Sequence, residues 1–277
     1  MRKKIIALLF AGCLIFTTCG GMQNSNAKTS KDNNTIVNQS SKKESSKDYI
    51  TIVNQPSKTV SSKENNMNQE ESKENKDFYS IEFNKNSEIF ARIKGKSYKD
   101  DCTVPVSDLR YLHVLHVGFD GESHEGEIIC NKYIADDLLE IFQALYEAKY
   151  PIEKIKLVDE YDADDERSMA DNNSSSFNFR FISHTTKISK HGYGLAMDIN
   201  TLYNPYVKTV NGKLSIEPAN AADYVDRSQD FPYKIDENDL AYQLFIAHGF
   251  QWGGAWKNSK DYQHFEVPDS VVKKLYK

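Results

Sequence analysis

Two short stretches of the chain carry side chains that could together hold a metal ion. The first contains His191 and Asp198, and the second contains Asp261 and His264. Two imidazoles and one carboxylate are typical ligands of a catalytic zinc site, which keeps a fourth position open for water. A second carboxylate, three residues before the last histidine, is in reach to act as a base. These residues therefore predict a catalytic metal centre.

The residues around these side chains indicate how the ligands are positioned. Glycines on both sides of Tyr193 permit a turn directly after His191. Residues 195–200 then alternate between apolar and polar types, which presents Asp198 on the polar face of a strand. The stretch around His264 alternates in the same way. We therefore expect two short strands, each presenting one ligand, to hold a metal between them.

The spacing alone leaves alternatives open. Histidine and aspartate are common on protein surfaces, so an isolated pair such as His191 and Asp198 is a weak signal. The same ligand types also form the iron site of two-histidine, one-carboxylate oxygenases. That motif usually separates its first histidine and carboxylate by one residue, whereas six residues separate them here.

Several separated motifs resemble one known family. They comprise Ser189, His191, Gly194, Ala196 and Asp198, then Asp261, His264, Phe265 and Glu266, together with the stretches 172–180, 198–200, 204–206 and 249–254. From about Cys102 to Pro268, the chain resembles the M15 family of zinc D-alanyl-D-alanine carboxypeptidases, the VanY-like peptidases that trim peptidoglycan stem peptides. The motifs stand in the family's order, which makes the resemblance specific.

The resemblance implies a set of site residues. One zinc ion per chain is expected on His191, Asp198 and His264. Asp261 takes the place of the general base, and Arg180 stands where such enzymes have an arginine near the reacting carbonyl.

The resemblance also assigns residues around the centre. Ser189 and Trp252 are expected to border the substrate. Glu266 is expected to orient His264 without binding the metal itself. For Arg180 the alternative is a structural salt bridge with the acidic loop over residues 159–165. For Glu266 the alternative is an ordinary surface carboxylate.

The remaining elements predict an α+β domain. They are a strand over 108–117, a helix over 131–150 capped by Asn131, a strand over 152–161 that runs into the acidic loop, and a helix over 236–248 capped by Asp236 and ended by Gly249. The first strand is apolar on both faces, so we expect it to be central, with His113 and His116 as hydrogen-bonded core residues. Helices and strands interleave without regular βαβ alternation, which favours the α+β class. The resemblance implies a small antiparallel sheet backed by helices, of the Hedgehog/DD-peptidase type.

The N-terminal region predicts export. Arg2, Lys3 and Lys4 precede about a dozen apolar residues, a run suited to a signal peptide and too short for the roughly 20 residues of a membrane span. The run ends at Cys19 in a pattern that resembles a bacterial lipobox. We therefore predict a signal peptide over 1–19 and a lipoprotein, lipidated at Cys19, that faces the cell wall; simple secretion is the alternative.

Residues 20–77 predict a disordered tether, because they are rich in Ser, Asn, Lys and Glu and contain too few apolar residues to form a core. An eight-residue segment starting at Thr35 recurs, with one substitution, at Thr51, but two copies are too few for a solenoid. A spacer function is expected, and residues 78–277 form the predicted peptidase domain.

Charge and cysteine content exclude other classes. A net charge of −5 without a basic patch argues against nucleic-acid binding. No Cys-x-x-Cys spacing exists, so a thiolate zinc site is excluded. Cys102 and Cys130 form a candidate disulfide in an exported protein. One core accounts for the apolar residues, so we expect a monomer.

The resemblance to the M15 family implies zinc-dependent hydrolysis of peptidoglycan stem peptides, with release of a terminal D-alanine as the expected reaction. An L,D-carboxypeptidase or an endopeptidase with the same site stays open, because the motifs do not define the scissile bond. A lipoprotein that binds the cell wall without turnover is the alternative from another class.

Overall fold

The structure is a computed structural model that describes residues 76–182 and 185–277. The predicted signal peptide with Cys19 lies outside the described residues, as does the predicted tether up to residue 75. Within the described part of the chain, no helix is long and apolar enough to cross a membrane.

Helices and antiparallel strands are mixed along the described chain, which confirms the predicted α+β class. The α-helices are α1 (Glu88–Ile93), α2 (Ala135–Glu147), α3 (Asp165–Ala170), α4 (Leu240–Ala247) and α5 (Asp269–Tyr276). The strands are β1 (Tyr79–Glu82), β2 (Leu109–Val117), β3 (Ser123–Asn131), β4 (Lys154–Ile155), β5 (Asn173–Ser174), β6 (Ala196–Asp198), β7 (Tyr206–Val210), β8 (Lys213–Glu217), β9 (Gln251–Trp252), β10 (Lys260–Asp261) and β11 (His264–Glu266).

The strands form several small sheets in place of the single sheet that was predicted. The described residues contain three antiparallel sheets, ordered β1-β2-β3, β10-β7-β8 and β6-β11-β9. A further pair, β4 and β5, is parallel. The second sheet carries Asp261, and the third carries Asp198 and His264.

The first sheet has β2 as its middle strand. β2 pairs with β3 along its whole length and with β1 on its other edge. Leu112 and Val114 enter one hydrophobic core, and Leu109 and Tyr111 enter a second core. Since both faces of β2 are covered, the prediction of a central strand is confirmed.

Helix α2 joins this sheet to the strands of the predicted centre. Its buried side chains lie at helical spacing on one face and are Leu138, Ile141, Phe142 and Leu145. The same core contains Met197 of β6 and Phe265 of β11. Phe265 stacks on Phe245 of α4, with ring centroids 4.3 Å apart. The apolar faces of β6 and β11 are therefore fixed by the main core, which leaves their other faces for polar side chains.

Both predicted helices begin later than expected. Asn131 is the last residue of β3, and its side-chain oxygen accepts a hydrogen bond from the Tyr133 amide in the turn before α2. Asp239 caps α4 by accepting hydrogen bonds from the amides of Ala241 and Tyr242. Asp236 caps the preceding turn instead, through the Asn238 amide.

The predicted strand over 152–161 is mostly wrong. Its regular part is the two-residue β4, followed by a 3₁₀ helix over Val158–Tyr161. Asp159, the first residue of the acidic loop, is buried and accepts hydrogen bonds from the amide and the hydroxyl of Ser97. A buried carboxylate with two donors holds the acidic loop against the turn that follows α1.

Cys102 and Cys130 are both free, so the disulfide hypothesis is wrong. Cys130 is buried in the core that contains α2, whereas Cys102 packs against the second core. The two thiols therefore belong to different cores.

The histidines of β2 are bound to backbone carbonyls, as predicted. His116 is buried, and its Nδ1 donates to the Ile152 carbonyl at 2.7 Å. His113 Nδ1 bonds to the carbonyl of Asp77 at 3.1 Å. Burial lowers the pKa of His116, with the hydrogen bond to Ile152 opposing it.

This lowered pKa predicts a loss of stability in acid. The folded state holds the His116 proton less tightly than the unfolded chain does, so the contribution is present above about pH 6.5 and is lost as the pH falls below it. We expect the unfolding free energy of the wild type to fall more than that of His116→Gln between about pH 8 and pH 5. Denaturant titrations at several pH values measure this, and parallel curves for the two proteins would contradict it.

Candidate metal centre

Strands β6 and β11 place a carboxylate directly opposite a histidine. They pair antiparallel with His264 in register with Asp198 and Phe265 in register with Met197. Because side chains alternate along a strand, Phe265 and Met197 enter the core while Asp198 and His264 face the other side together. This is the arrangement of two ligand-bearing strands that the alternation predicts.

His191 reaches the same place from a tight turn. It begins a short 3₁₀ helix, His191–Tyr193, which ends at Gly194 with φ +66°. A Cβ at Gly194 would lie 2.7 Å from the Asn131 amide nitrogen, so both the backbone conformation and the space require glycine. The turn folds His191 back beside the strand that it precedes.

Three ligand atoms converge at the centre. His191 Nε2 lies 3.0 Å from His264 Nδ1, and the two Asp198 oxygens lie 3.1 Å and 2.9 Å from these nitrogens. All three side chains are largely buried. In the described residues, they form the group of three that could hold a metal ion.

The outer nitrogen of each ring is held by an acceptor. His191 Nδ1 donates to the Ser176 carbonyl at 2.6 Å, and His264 Nε2 lies 3.2 Å from Glu266 Oε2. A neutral imidazole has only one N–H, so a ring whose outer nitrogen carries that hydrogen has a lone pair on its inner nitrogen that can bind a metal. Such a cluster requires a positive charge at its centre, which a metal ion supplies.

The distances also fit zinc. Two atoms at about 2.0–2.1 Å from a tetrahedral zinc ion are about 3.3 Å apart, so a slight widening of this cluster would admit the ion. The two-nitrogen, one-oxygen donor set and the buried outer partners match catalytic zinc sites.

The same contacts shift the pKa values of the cluster. Burial opposes ionisation of Asp198, but His191 and His264 outweigh it and hold the Asp198 pKa well below its usual range. Burial disfavours the charged form of His264, yet its hydrogen bonds to Asp198 and Glu266 raise its pKa to about 10.

Asp261 lies beside the cluster on β10. Burial raises its pKa to about 7; the Asp198 charge adds to this, and His264 and His191 oppose it. Its Oδ1 is buried without a hydrogen-bond partner among the described residues. A Cβ at Gly253 would lie 2.7 Å from the Asp261 Cβ, so this glycine allows the close approach. A carboxylate that has an oxygen without a partner and a pKa near neutrality can accept a proton and return it, as a general acid–base group does.

Arg180 is held in the salt bridge that was the structural alternative for it. Its guanidinium pairs with Asp165 at the start of α3. The Arg180 carbonyl accepts a hydrogen bond from the Ser189 amide, two residues before His191. Ser189 itself is buried. Contact of either side chain with substrate stays a prediction.

The two tryptophans after α4 have different surroundings. Trp252 is buried, and its indole N–H donates to the Tyr262 carbonyl at 2.9 Å. Trp256 is partly exposed, and its ring lies edge-on to that of His264 at 5.4 Å. A substrate contact by Trp252 stays a prediction, but Trp256 is the tryptophan that adjoins the ligands.

Sequence reasoning missed Trp256 and Ser176, although both lie in or beside the motifs used. Trp256 ends the Trp-Gly-Gly-Ala-Trp turn, and Ser176 lies within the 172–180 stretch. Ser176 contacts His191 through its backbone carbonyl, so the residue type at position 176 does not predict this contact.

A family model for D-alanyl-D-alanine carboxypeptidase, of the M15 peptidases, matches residues 183–267. This range contains His191, Asp198, Asp261 and His264, and ends just after Glu266. No solved structure matches the chain. The predicted family resemblance is therefore confirmed by a match that covers the candidate metal centre.

Proposed function

Because a family model for D-alanyl-D-alanine carboxypeptidase matches residues 183–267, we propose that this chain is a zinc peptidase of the M15 type that hydrolyses peptidoglycan stem peptides. The expected reaction is release of the terminal D-alanine. The observation that carries the proposal is the convergence of two imidazole nitrogens and a carboxylate, with both outer ring nitrogens beside acceptors.

The proposed ligands are His191, Asp198 and His264. When bound, zinc would supply the Lewis acidity that activates water and polarises the scissile carbonyl. The Ser176 carbonyl fixes the His191 ring, and the Glu266 carboxylate fixes the His264 ring. Both rings are thus oriented before a substrate arrives, which keeps the cost of reorganisation small.

Asp261 is the proposed proton carrier. Its free Oδ1 would accept the proton of the attacking water and then donate it to the leaving amine. A carboxylate whose pKa lies near neutrality can perform both transfers at the same pH. Stabilisation of the developing oxyanion by Arg180 would require its guanidinium to turn away from Asp165.

We also propose that the protein works outside the cytoplasm as a monomer. The signal-peptide pattern and the lipobox-like pattern at Cys19 support a lipid anchor in the membrane, with the peptidase facing the wall. Mass spectrometry of the N-terminal peptide from the membrane fraction tests this. A diacylglycerol on Cys19 supports the anchor, whereas an unmodified protein in the medium supports secretion.

The first experiment combines zinc analysis of the purified chain with mass spectrometry of products from muropeptides. About one zinc per chain and loss of a single alanine from pentapeptides supports the proposal. Loss of alanine from tetrapeptides would indicate an L,D-carboxypeptidase, and cleavage within the stem an endopeptidase. Zinc without any hydrolysis would indicate a binding protein, and absence of zinc after reconstitution would overturn the proposal.

A further inference from the structure

Lys190, next to His191, is a buried lysine that the proposed reaction does not use. Its side chain is 8% exposed. The Nζ atom donates to the Val267 carbonyl at 2.6 Å, lies 2.9 Å from Asp269 Oδ1, and is 3.9 Å from Glu266 Oε1. Buried ammonium groups are rare unless they are paired, so these acceptors account for its burial.

The contacts of Lys190 lead back to a ligand. Glu266 Oε1 faces Lys190, while its Oε2 bonds to His264 Nε2. The turn that contains Lys190 and His191 therefore contacts β11 and Val267 through both of these side chains. His191 contacts the inner nitrogen of His264, and the Lys190 ammonium lies 3.9 Å from the Glu266 carboxylate that contacts the outer nitrogen.

We propose that Lys190 is a positioning residue, which orients the Glu266 carboxylate and thereby the His264 imidazole for metal binding. The proposal rests on the metal centre proposed above. Glu266 has two oxygens, and only one can accept from His264. The positive charge near the other oxygen favours the orientation in which Oε2 contacts His264.

A purely structural alternative makes a different prediction. Lys190 also binds Asp269, the first residue of α5, whose side chain is 61% exposed. If Lys190 only anchors this helix, removal of its partner Asp269 should weaken metal binding as much as removal of Lys190 does. If Lys190 acts through Glu266, loss of the Asp269 charge should leave metal affinity unchanged.

The test measures the zinc dissociation constant of the full chain by competition with a chelator. Lys190→Gln keeps a donor for the Val267 carbonyl but removes the charge, and we expect zinc to bind about 10–100-fold more weakly, as for other outer partners of a ligand. Glu266→Gln should weaken binding to a similar extent. The double variant should bind zinc no more weakly than Glu266→Gln alone, because both changes break one chain of contacts.

Three further variants complete the design. Lys190→Arg keeps the charge and is expected to retain most of the affinity, and Asp269→Asn is the matched control with wild-type affinity. Lys190→Met, with an apolar stem of similar length, replaces Lys190→Gln if the latter does not fold. If a folded Lys190→Gln or Lys190→Met variant binds zinc as tightly as the wild type, or if Asp269→Asn weakens zinc binding equally, the positioning role of Lys190 is overturned. Neither result contradicts the proposed function. A wild type that binds no zinc overturns the proposed function and this inference with it.

Discussion

Asp198→Asn is expected to abolish both zinc retention and peptide hydrolysis. The carboxylate contacts both His191 Nε2 and His264 Nδ1, so it contributes a ligand atom and the negative charge of the cluster. Outer partners of metal ligands cost about 10–100-fold in affinity, and loss of a direct ligand should cost more. The amide keeps the shape of the side chain, so the strand pairing with β11 should survive. Metal analysis after dialysis and a muropeptide assay measure the two effects.

The matched control is Asp137→Asn. Its carboxylate also contacts a histidine, His248 Nδ1 at 3.1 Å, but on α2 and outside the candidate centre. The control changes the net charge by the same amount and should keep zinc and activity. An Asp198→Asn protein that binds zinc as tightly as the wild type would show that the metal lies elsewhere.

The strand geometry of this site could be predicted because it depends on local sequence. Alternation along 195–200 and around His264 determines which side chains share a face, and a glycine after His191 permits the turn. These rules need no distant contact. The pairing of the two strands with His264 opposite Asp198 was expected only in outline, since register is set by the core that Phe265 and its neighbours enter.

The parts that sequence reasoning missed depend on contacts between distant segments. Asp236 and Asp239 are equally good helix caps by residue type, and the structure uses each for a different turn. Trp256 adjoins His264 and was not singled out from the sequence, whereas Trp252 is paired with Phe265 and buried, and its predicted contact with substrate stays a prediction. Lys190 gave no signal, because its acceptors lie more than 70 residues away in sequence.

The contacts of the nearby carboxylates indicate which one is free to carry a proton. Both oxygens of Asp198 face histidine nitrogens, and the two oxygens of Glu266 face His264 and Lys190. Among these three, Asp261 is the carboxylate with a fully buried oxygen that lacks a hydrogen-bond partner in the described residues. Asp261 belongs to β10, which pairs with the hairpin of β7 and β8. Its carboxylate is close enough to Asp198, His191 and His264 for their charges to affect its pKa.

Asp261→Asn should therefore retain zinc but hydrolyse muropeptides about 10²–10⁴-fold more slowly, the usual contribution of a general acid–base group. The fall is expected in kcat more than in KM, because the amide cannot accept a proton but occupies the same space. In the wild type, kcat/KM should rise with pH through the pKa of Asp261, and a bound cation would move that pKa below 7. This rise should be absent from the residual activity of the variant. If Asp261→Asn keeps full activity and the same pH profile, another group must carry the proton, and the unpartnered oxygen of Asp261 would need a different explanation.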